Sequence, residues 1–417
     1  MDTAPPSPSA VAANAPTRSV YDRTFWLAYL ANTSLVFANA LTFRFAELVS
    51  FVGGTEKVAG DIVAVGLTIA VIVRLAASHV IDDYGTRRLW IVTTLLFITG
   101  CVMFLLAQSV SLELYVARTV FVVGLTGMFA CSMTHIQNQV PLERRTEVIG
   151  NLGSSGFIGM ILGANAGDWI LRLIPAGRGQ FLALFGLAAF IGIIYLAIVM
   201  EMTKGQRRPI THRPSPPAWK LLIRHWPGAV VVVGLVMGLG VTVNTVFLTR
   251  FATTRGIASL GMFFTAYALS AFVFRIQAAH WSRTIGRHWM LVRGLLGHTV
   301  GLALLATVTQ GWQLILPAIV CGFGHALLFP GVVSLGSGSF PPESRGTGTA
   351  TILGLVDFGS LVFSPILGRI IVNVGFEWMF LIASGCALLT AIGYSVVAWQ
   401  YPDHEEVLAG AVTVGQR

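Results

Sequence analysis

Long stretches of this 417-residue chain contain no Asp, Glu, Lys or Arg, and that absence constrains the fold more than any other feature. The uncharged windows are 24–43, 89–112, 119–142, 148–167, 179–200, 225–249, 256–274 and 378–402, and one longer window, 294–342, holds two crossings and a turn. A membrane-spanning helix needs about 20 apolar residues, so these windows amount to ten crossings. Two further segments, 58–81 and 346–371, are as apolar but carry isolated charges. The pattern predicts an all-α integral membrane protein of twelve spans, which we number 1 to 12 in chain order. Only 11% of residues are charged, against roughly 25% in soluble proteins, so a soluble enzyme is excluded.

The net charge of +9 has a topological reading. With the N-terminus inside, fifteen Lys and Arg residues, among them Arg87, Arg88, Arg144, Arg145, Arg207, Arg208, Arg287 and Arg345, fall on the inner side. Five fall near the outer ends: Lys57, Arg172, Arg178, Arg250 and Arg255. Short loops rich in Lys and Arg stay cytoplasmic. Both termini are therefore expected in the cytoplasm of a cell with the chain in its inner membrane, and the charge is no sign of nucleic-acid binding. Residues 1–22, rich in Pro, Ala and Ser, read as a disordered tail, and 402–417 as a cytoplasmic C-terminal tail. Cys101, Cys131, Cys321 and Cys386 all lie inside predicted spans and read as packing residues, with no metal-ligand spacing.

A basic, proline-rich connector, 203–226, separates 23–202 from 227–401. The two halves repeat one another. A shift of 201 residues lays V-R-L-A-A-S-H at 73–79 on F-R-I-Q-A-A-H at 274–280, so that Arg74 meets Arg275, His79 meets His280 and Gly85 meets Gly286. A shift of 200 lays P-L-E-R-R at 141–145 on P-P-E-S-R at 341–345. Two blocks at nearly one offset indicate duplication, hence two pseudo-symmetric six-helix bundles, an architecture of secondary transporters with a site near the midplane.

The segment R-L-A-A-S-H-V-I-D-D-Y-G-T-R-R at 74–88 resembles the signature between the second and third helices of the major facilitator superfamily, matched by Asp82, Gly85, Arg87 and Arg88, with Ser78 and Asp83 departing from it. Gly286 and Arg287 stand in the second-half copy, where Arg283 replaces the acid. Segments around 141–165 and 322–368 also resemble the exporter-like permeases of that superfamily, drug/proton antiporters among them. The resemblance implies a gating latch in which Asp82 accepts from arginines and the positive end of a facing helix, across a turn that Gly85 permits. A plain basic hairpin is the other account. In span 5, G-F-I-G-M-I-L-G-A-N-A-G-D at 156–168 resembles an antiporter motif at Gly159, Gly163 and Gly167, with Ala164 for its Pro and Asp168 for its last Gly. Close helix packing by small residues would also explain those glycines.

Charges inside hydrocarbon are costly and each needs a reason. Arg118, in L-Y-V-A-R, resembles an arginine of proton-coupled exporters associated with proton transfer; a side chain reaching for the outer interface is the alternative. Asp357, in G-L-V-D-F-G of span 11, is the carboxylate nearest mid-span. It either carries a proton or pairs with an Arg. In the superfamily helices 1, 4, 7 and 10 line the cavity, which would place Asn32, Asn39, Arg44, Glu47, Asn244 and His325 around a substrate. Arg44 and Glu47, three residues apart, can also pair with each other, and His325 can be a packing residue.

No phosphate loop of the G-x-x-x-x-G-K-[ST] kind occurs. No cofactor is expected, so energy comes from an ion gradient, in the first place that of protons. These expectations describe a secondary transporter of a small organic solute, working as a monomer in the bilayer and running as proton-coupled efflux. The alternatives are uptake symport of a sugar or organic anion, and a receptor or assembly factor that moves nothing.

Overall fold

In the computed structural model the described residues are 22–84, 86–139, 145–205, 218–257, 260–341 and 344–400. The N-terminal tail expected to be disordered, the C-terminal tail and most of the connector lie outside them.

Twelve helical spans run through these residues: Arg23–Phe51, Glu56–Tyr84, Thr86–Leu106, Leu112–Gln139, Arg145–Leu173, Arg178–Met202, Val230–Thr254, Gly261–Thr284, Arg287–Leu305, Gly311–Gly338, Arg345–Val374 and Phe376–Ala398. Nine of these stretches are, among the described residues, both long and apolar enough to cross a membrane by composition alone. Spans 2, 5 and 9 have the length but are less apolar or more charged. A short helix, Ala218–Arg224, precedes span 7.

The helices outrun the uncharged windows because ionisable residues at window edges stay helical. Span 2 continues through Arg74 to Tyr84, and span 8 continues through Arg275 to Thr284. Span 1 opens with Asp22, whose side chain accepts from the Phe25 amide at 3.0 Å and satisfies one of the free N–H groups of the first turn. Two spans are not uniform. Span 1 tightens into a 3-10 turn at Thr42–Arg44, and span 7 widens into a π turn at Val243–Phe247. The Thr249 hydroxyl, just past the π turn, donates to the Phe43 carbonyl in the 3-10 turn at 3.1 Å, so one irregularity meets the other.

The duplication is visible in three dimensions. Span 3 begins at Thr86 and span 9 at Arg287; span 5 begins at Arg145 and span 11 at Arg345, so the offsets of 201 and 200 read from the sequence recur in the helix starts. Span 2 packs along span 11, and span 5 along span 8. These two seams join the bundles.

The apolar core shows which end is closed. One cluster fills spans 1–6 and continues into the second bundle through Phe247, Phe251, Phe263, Leu305 and Phe380, all toward the end away from the chain termini, which we call the far end. A second cluster, with Val233, Leu291, Leu328 and Ala391, belongs to the second bundle alone. Apolar packing is therefore continuous between bundles at the far end.

Candidate functional site at the interface between the bundles

At the heart of the span 2–span 11 seam, Arg74 Nη2 lies 2.8 Å from Asp357 Oδ2, with side-chain exposures of 12% and 28%. The charges touch without the alignment of a hydrogen bond, and Arg74 Nε, buried, has no hydrogen-bond partner. The carboxylate read as either a proton carrier or an arginine partner thus has an arginine beside it, supplied by the opposite bundle. Gly354, one turn earlier on span 11, faces the Arg74 stem: a β-carbon there would sit 3.4 Å from its Cδ.

The span 5–span 8 seam carries the repeat-related arginine. The Arg275 guanidinium lies over the Phe157 ring of span 5 at 5.0 Å and over Phe329 of span 10 at 5.3 Å, the geometry of cation–π attraction. His325 joins the same cluster, its ring centroid 5.8 Å from Tyr267 and 5.6 Å from Phe329.

Arg118 is enclosed within the first bundle. Its guanidinium lies 4.6 Å from the Phe45 ring and 5.2 Å from Phe121, and its buried Nε and Nη1 have no hydrogen-bond partner. Gly66 of span 2 makes room for its stem, since a β-carbon there would be 3.3 Å from Arg118 Cγ. The side chain therefore does not reach for a water interface. Arg118 and Asp357, both candidates for proton handling, are not in contact.

The far end holds a ring of ion pairs. Arg44 bonds Glu47 at 2.8 Å and Asp168 of span 5 at 2.6 Å, all three buried. The second oxygen of Asp168 accepts from the Gly261 amide at 2.6 Å. Gly261 is the first residue of span 8, whose own N-cap, Leu260, offers no side-chain hydrogen bond. A carboxylate from the first bundle thus caps a helix of the second, where the helix dipole is positive. Asn165 donates to Thr265 across the same seam at 2.9 Å. On the opposite side Arg250 of span 7 meets Glu56 of span 2 at 2.7 Å, and on the span 2–span 11 seam Arg369 meets Asp61 at 3.3 Å. Ser364 donates to the Gly60 carbonyl at 3.1 Å. The cavity lined by Arg44, Asp168, Thr249 and Phe264 measures only about 10 Å³, smaller than a solute; with the ion pairs around it and the continuous apolar packing, this end is shut.

The remaining candidates are placed as follows. Asn32 faces span 5, donating to Ser155 Oγ at 2.7 Å. Asn39 is partly exposed, and its carbonyl accepts from Thr42. Asn244 is buried in the π turn, and its Oδ1 has no hydrogen-bond partner. Gly159 and Gly163 press against the span 1 backbone at Thr33 and Phe37, while Gly167 lies 3.7 Å, measured from a β-carbon position, from Arg44 Nε. Arg87 and Arg88 are exposed at the start of span 3. Gly286 adopts φ +84°, a left-handed turn that favours glycine, and Arg287 donates to Ser334 at 3.0 Å. Asp82, as a side chain, and Gly85 lie outside the described residues.

From the sequence Asp168 stands out as a departure from a glycine motif and a second-choice coupling carboxylate, not as a partner of Arg44, and nothing singles out Glu56, Asp61, Arg250 or Arg369 as partners. The available signal was the opposite charge at far ends of spans from different halves, which is meaningful only once helices 2, 7 and 11 are known to meet.

The Major Facilitator Superfamily description matches residues 24–260 and 230–412. An uncharacterised MFS-type transporter of Salmonella typhimurium is 27% identical over 43% of this chain and 46% of its own length; one of Bacillus subtilis, YfiU, is 22% identical over 71% and 69%. The class E tetracycline resistance protein of Escherichia coli is 27% identical over 39% and 42%. The chain thus spans less than half the length of the Salmonella and E. coli relatives. Among solved structures, a peptide transporter POT in complex with sulfate superposes with a TM-score of 0.75 at 15% identity, covering 94% of this chain and 98% of that one. The xylose transporter XylE from E. coli, partially occluded and inward open, gives 0.69 at 14% identity over 91% and 98%. Twelve spans in two repeated bundles, polar seams between them, and a family match along nearly the whole chain lead to one assignment: this protein is a multi-pass membrane protein of the Major Facilitator Superfamily.

Proposed function

We propose that the protein is a proton-coupled exporter of a small organic solute that works by alternating access. The Arg74–Asp357 pair carries this reading. It joins the two bundles away from the far-end ring, so any rocking of one bundle against the other must stretch or break it. An Asp357 carboxylate left without its cation in a membrane interior is costly, and taking up a proton removes that cost. Re-forming the pair expels the proton. A carboxylate alternating between an arginine and a proton therefore ties proton movement to rocking. The tetracycline resistance relative supports the efflux direction. With the termini in the cytoplasm, the shut far end faces outward and the substrate enters from the cytoplasmic side.

Inside-out vesicles from cells producing the full chain, acidified inside by respiration and followed with a pH-sensitive dye, test the reading. Tetracycline is the first compound to add, followed by a panel of small aromatic and aliphatic acids, amines and amides. A transported compound discharges the proton gradient in wild-type vesicles, and Asp357→Asn abolishes this response while compound exchange without a gradient persists. Proton-driven transport at the wild-type rate in Asp357→Asn defeats the coupling role. Compound uptake into intact cells driven by an inward proton gradient would show that the same cycle runs as symport.

A further inference from the structure

The two seams are related by the duplication, and their central charges are not. The shift of 201 that carries span 2 onto span 8 carries Arg74 onto Arg275; the shift of 200 that carries span 5 onto span 11 carries Phe157 onto Asp357. The contacts obey the same relation. Arg74 reaches across its seam to Asp357, and Arg275 reaches across the other seam to Phe157. One bundle therefore receives a carboxylate for its arginine, and the other receives the face of a phenyl ring. Cation–π attraction falls far short of replacing the water lost by a guanidinium withdrawn from solvent. Arg275 has no ion pair or hydrogen bond among the described residues, and its Nε is buried without a partner. Gly153 of span 5 makes room for Nη1, which a β-carbon there would approach to 2.9 Å.

We infer that Arg275 is an anion subsite of the transport pathway, where a carboxylate or phosphate group of the substrate occupies the position that Asp357 fills on the opposite seam. The substrate is a small organic anion. Its charged end takes the guanidinium fork, and Phe157, Phe329, Tyr267 and His325 offer an apolar, aromatic wall to the rest. The asymmetry assigns separate tasks to the two seams: the paired arginine works with a resident acid, and the unpaired one works with a visiting acid. This rests on the transporter reading only for where the anion travels, because binding can be measured without flux.

The test is thermal stabilisation of the purified full-length protein by benzoate, phenylacetate, phenyl phosphate and inorganic phosphate, each organic acid compared with its uncharged amide. Wild type is stabilised by at least one organic anion and not by the matching amide. Arg275→Gln loses that response, with apparent affinity falling about thirtyfold or more, as loss of one partner of a charge pair implies; Arg275→Lys keeps part of it. Phe157→Asp supplies the missing acid within the chain. It raises the melting temperature in the absence of ligand and abolishes the response to anions, a readout that a merely structural arginine would not give. Absence of any anion response in wild type, equal stabilisation by amides, or an unchanged response in Arg275→Gln overturns the proposal. Anion binding without proton-driven flux would leave the subsite standing and defeat the exporter reading instead.

Discussion

Arg74→Gln leaves Asp357 facing the seam without its cation, and removing one partner of a buried pair costs about 3–5 kcal/mol; partial exposure of both side chains puts this case at or below the low end. The expected result is a lower melting temperature, recovered in the double variant Arg74→Gln/Asp357→Asn, with proton-driven flux lost in both. Thermal melts in detergent together with vesicle flux measure the two effects separately. A double variant no more stable than the single one would show that the two charges do not interact. At this scale the sequence revealed identities better than partnerships. That Arg74 and Arg275 are counterparts was legible from the repeat, and so was the oddity of an Asp in span 11. That the Asp meets one arginine and a phenylalanine meets the other was not, because the register of two helices from different bundles is set by packing along their whole length.

Among the elements, spans 1 and 5 depend on glycine. A β-carbon at Gly159 would run into the Thr33 carbonyl, and one at Gly163 would lie 2.5 Å from the Phe37 carbonyl. Helices in a bilayer gain their affinity from such close approach. Gly163→Val forces the pair apart and is expected to lower stability by about 1–3 kcal/mol, read as a lower melting temperature, whereas Gly186→Ala on span 6, with open space around it, should change little. Equal effects would mean that the span 1–span 5 contact is not closely packed. The existence and order of the twelve helices were legible because bilayer thickness imposes a length and excludes charge. The 3-10 turn of span 1 and the π turn of span 7 were not. Neither contains a proline, and both arise where two helices must fit each other at Phe43 and Thr249.

For the whole molecule, the prediction about orientation is the simplest: a reporter joined after Arg213 is active only in its cytoplasmic form, and activity in the external compartment would refute the assignment of the termini. Closure of the far end is tested through Asp168. Asp168→Asn keeps the shape but weakens the bond to Arg44 and the cap on span 8, so the seam should open more often. In a chain whose native cysteines are replaced by Ala, Thr249→Cys is expected to react slowly with a membrane-impermeant maleimide and several times faster when Asp168→Asn is added; unchanged labelling would assign the seal to apolar packing alone. The ring of charges around that end has a consequence for where such a protein can live. Glu56–Arg250 and Asp61–Arg369 retain side-chain exposures of 16–23% and 30–51%, while the Arg44–Glu47–Asp168 group is sealed from water. Dissolved ions weaken exposed pairs over about 8 Å at physiological strength and buried ones much less. If the far end faces outward, as proposed, seawater or brine outside the cell loosens the rim of the seal and leaves its inner lock intact, and a cell in dilute fresh water holds the same protein shut more firmly.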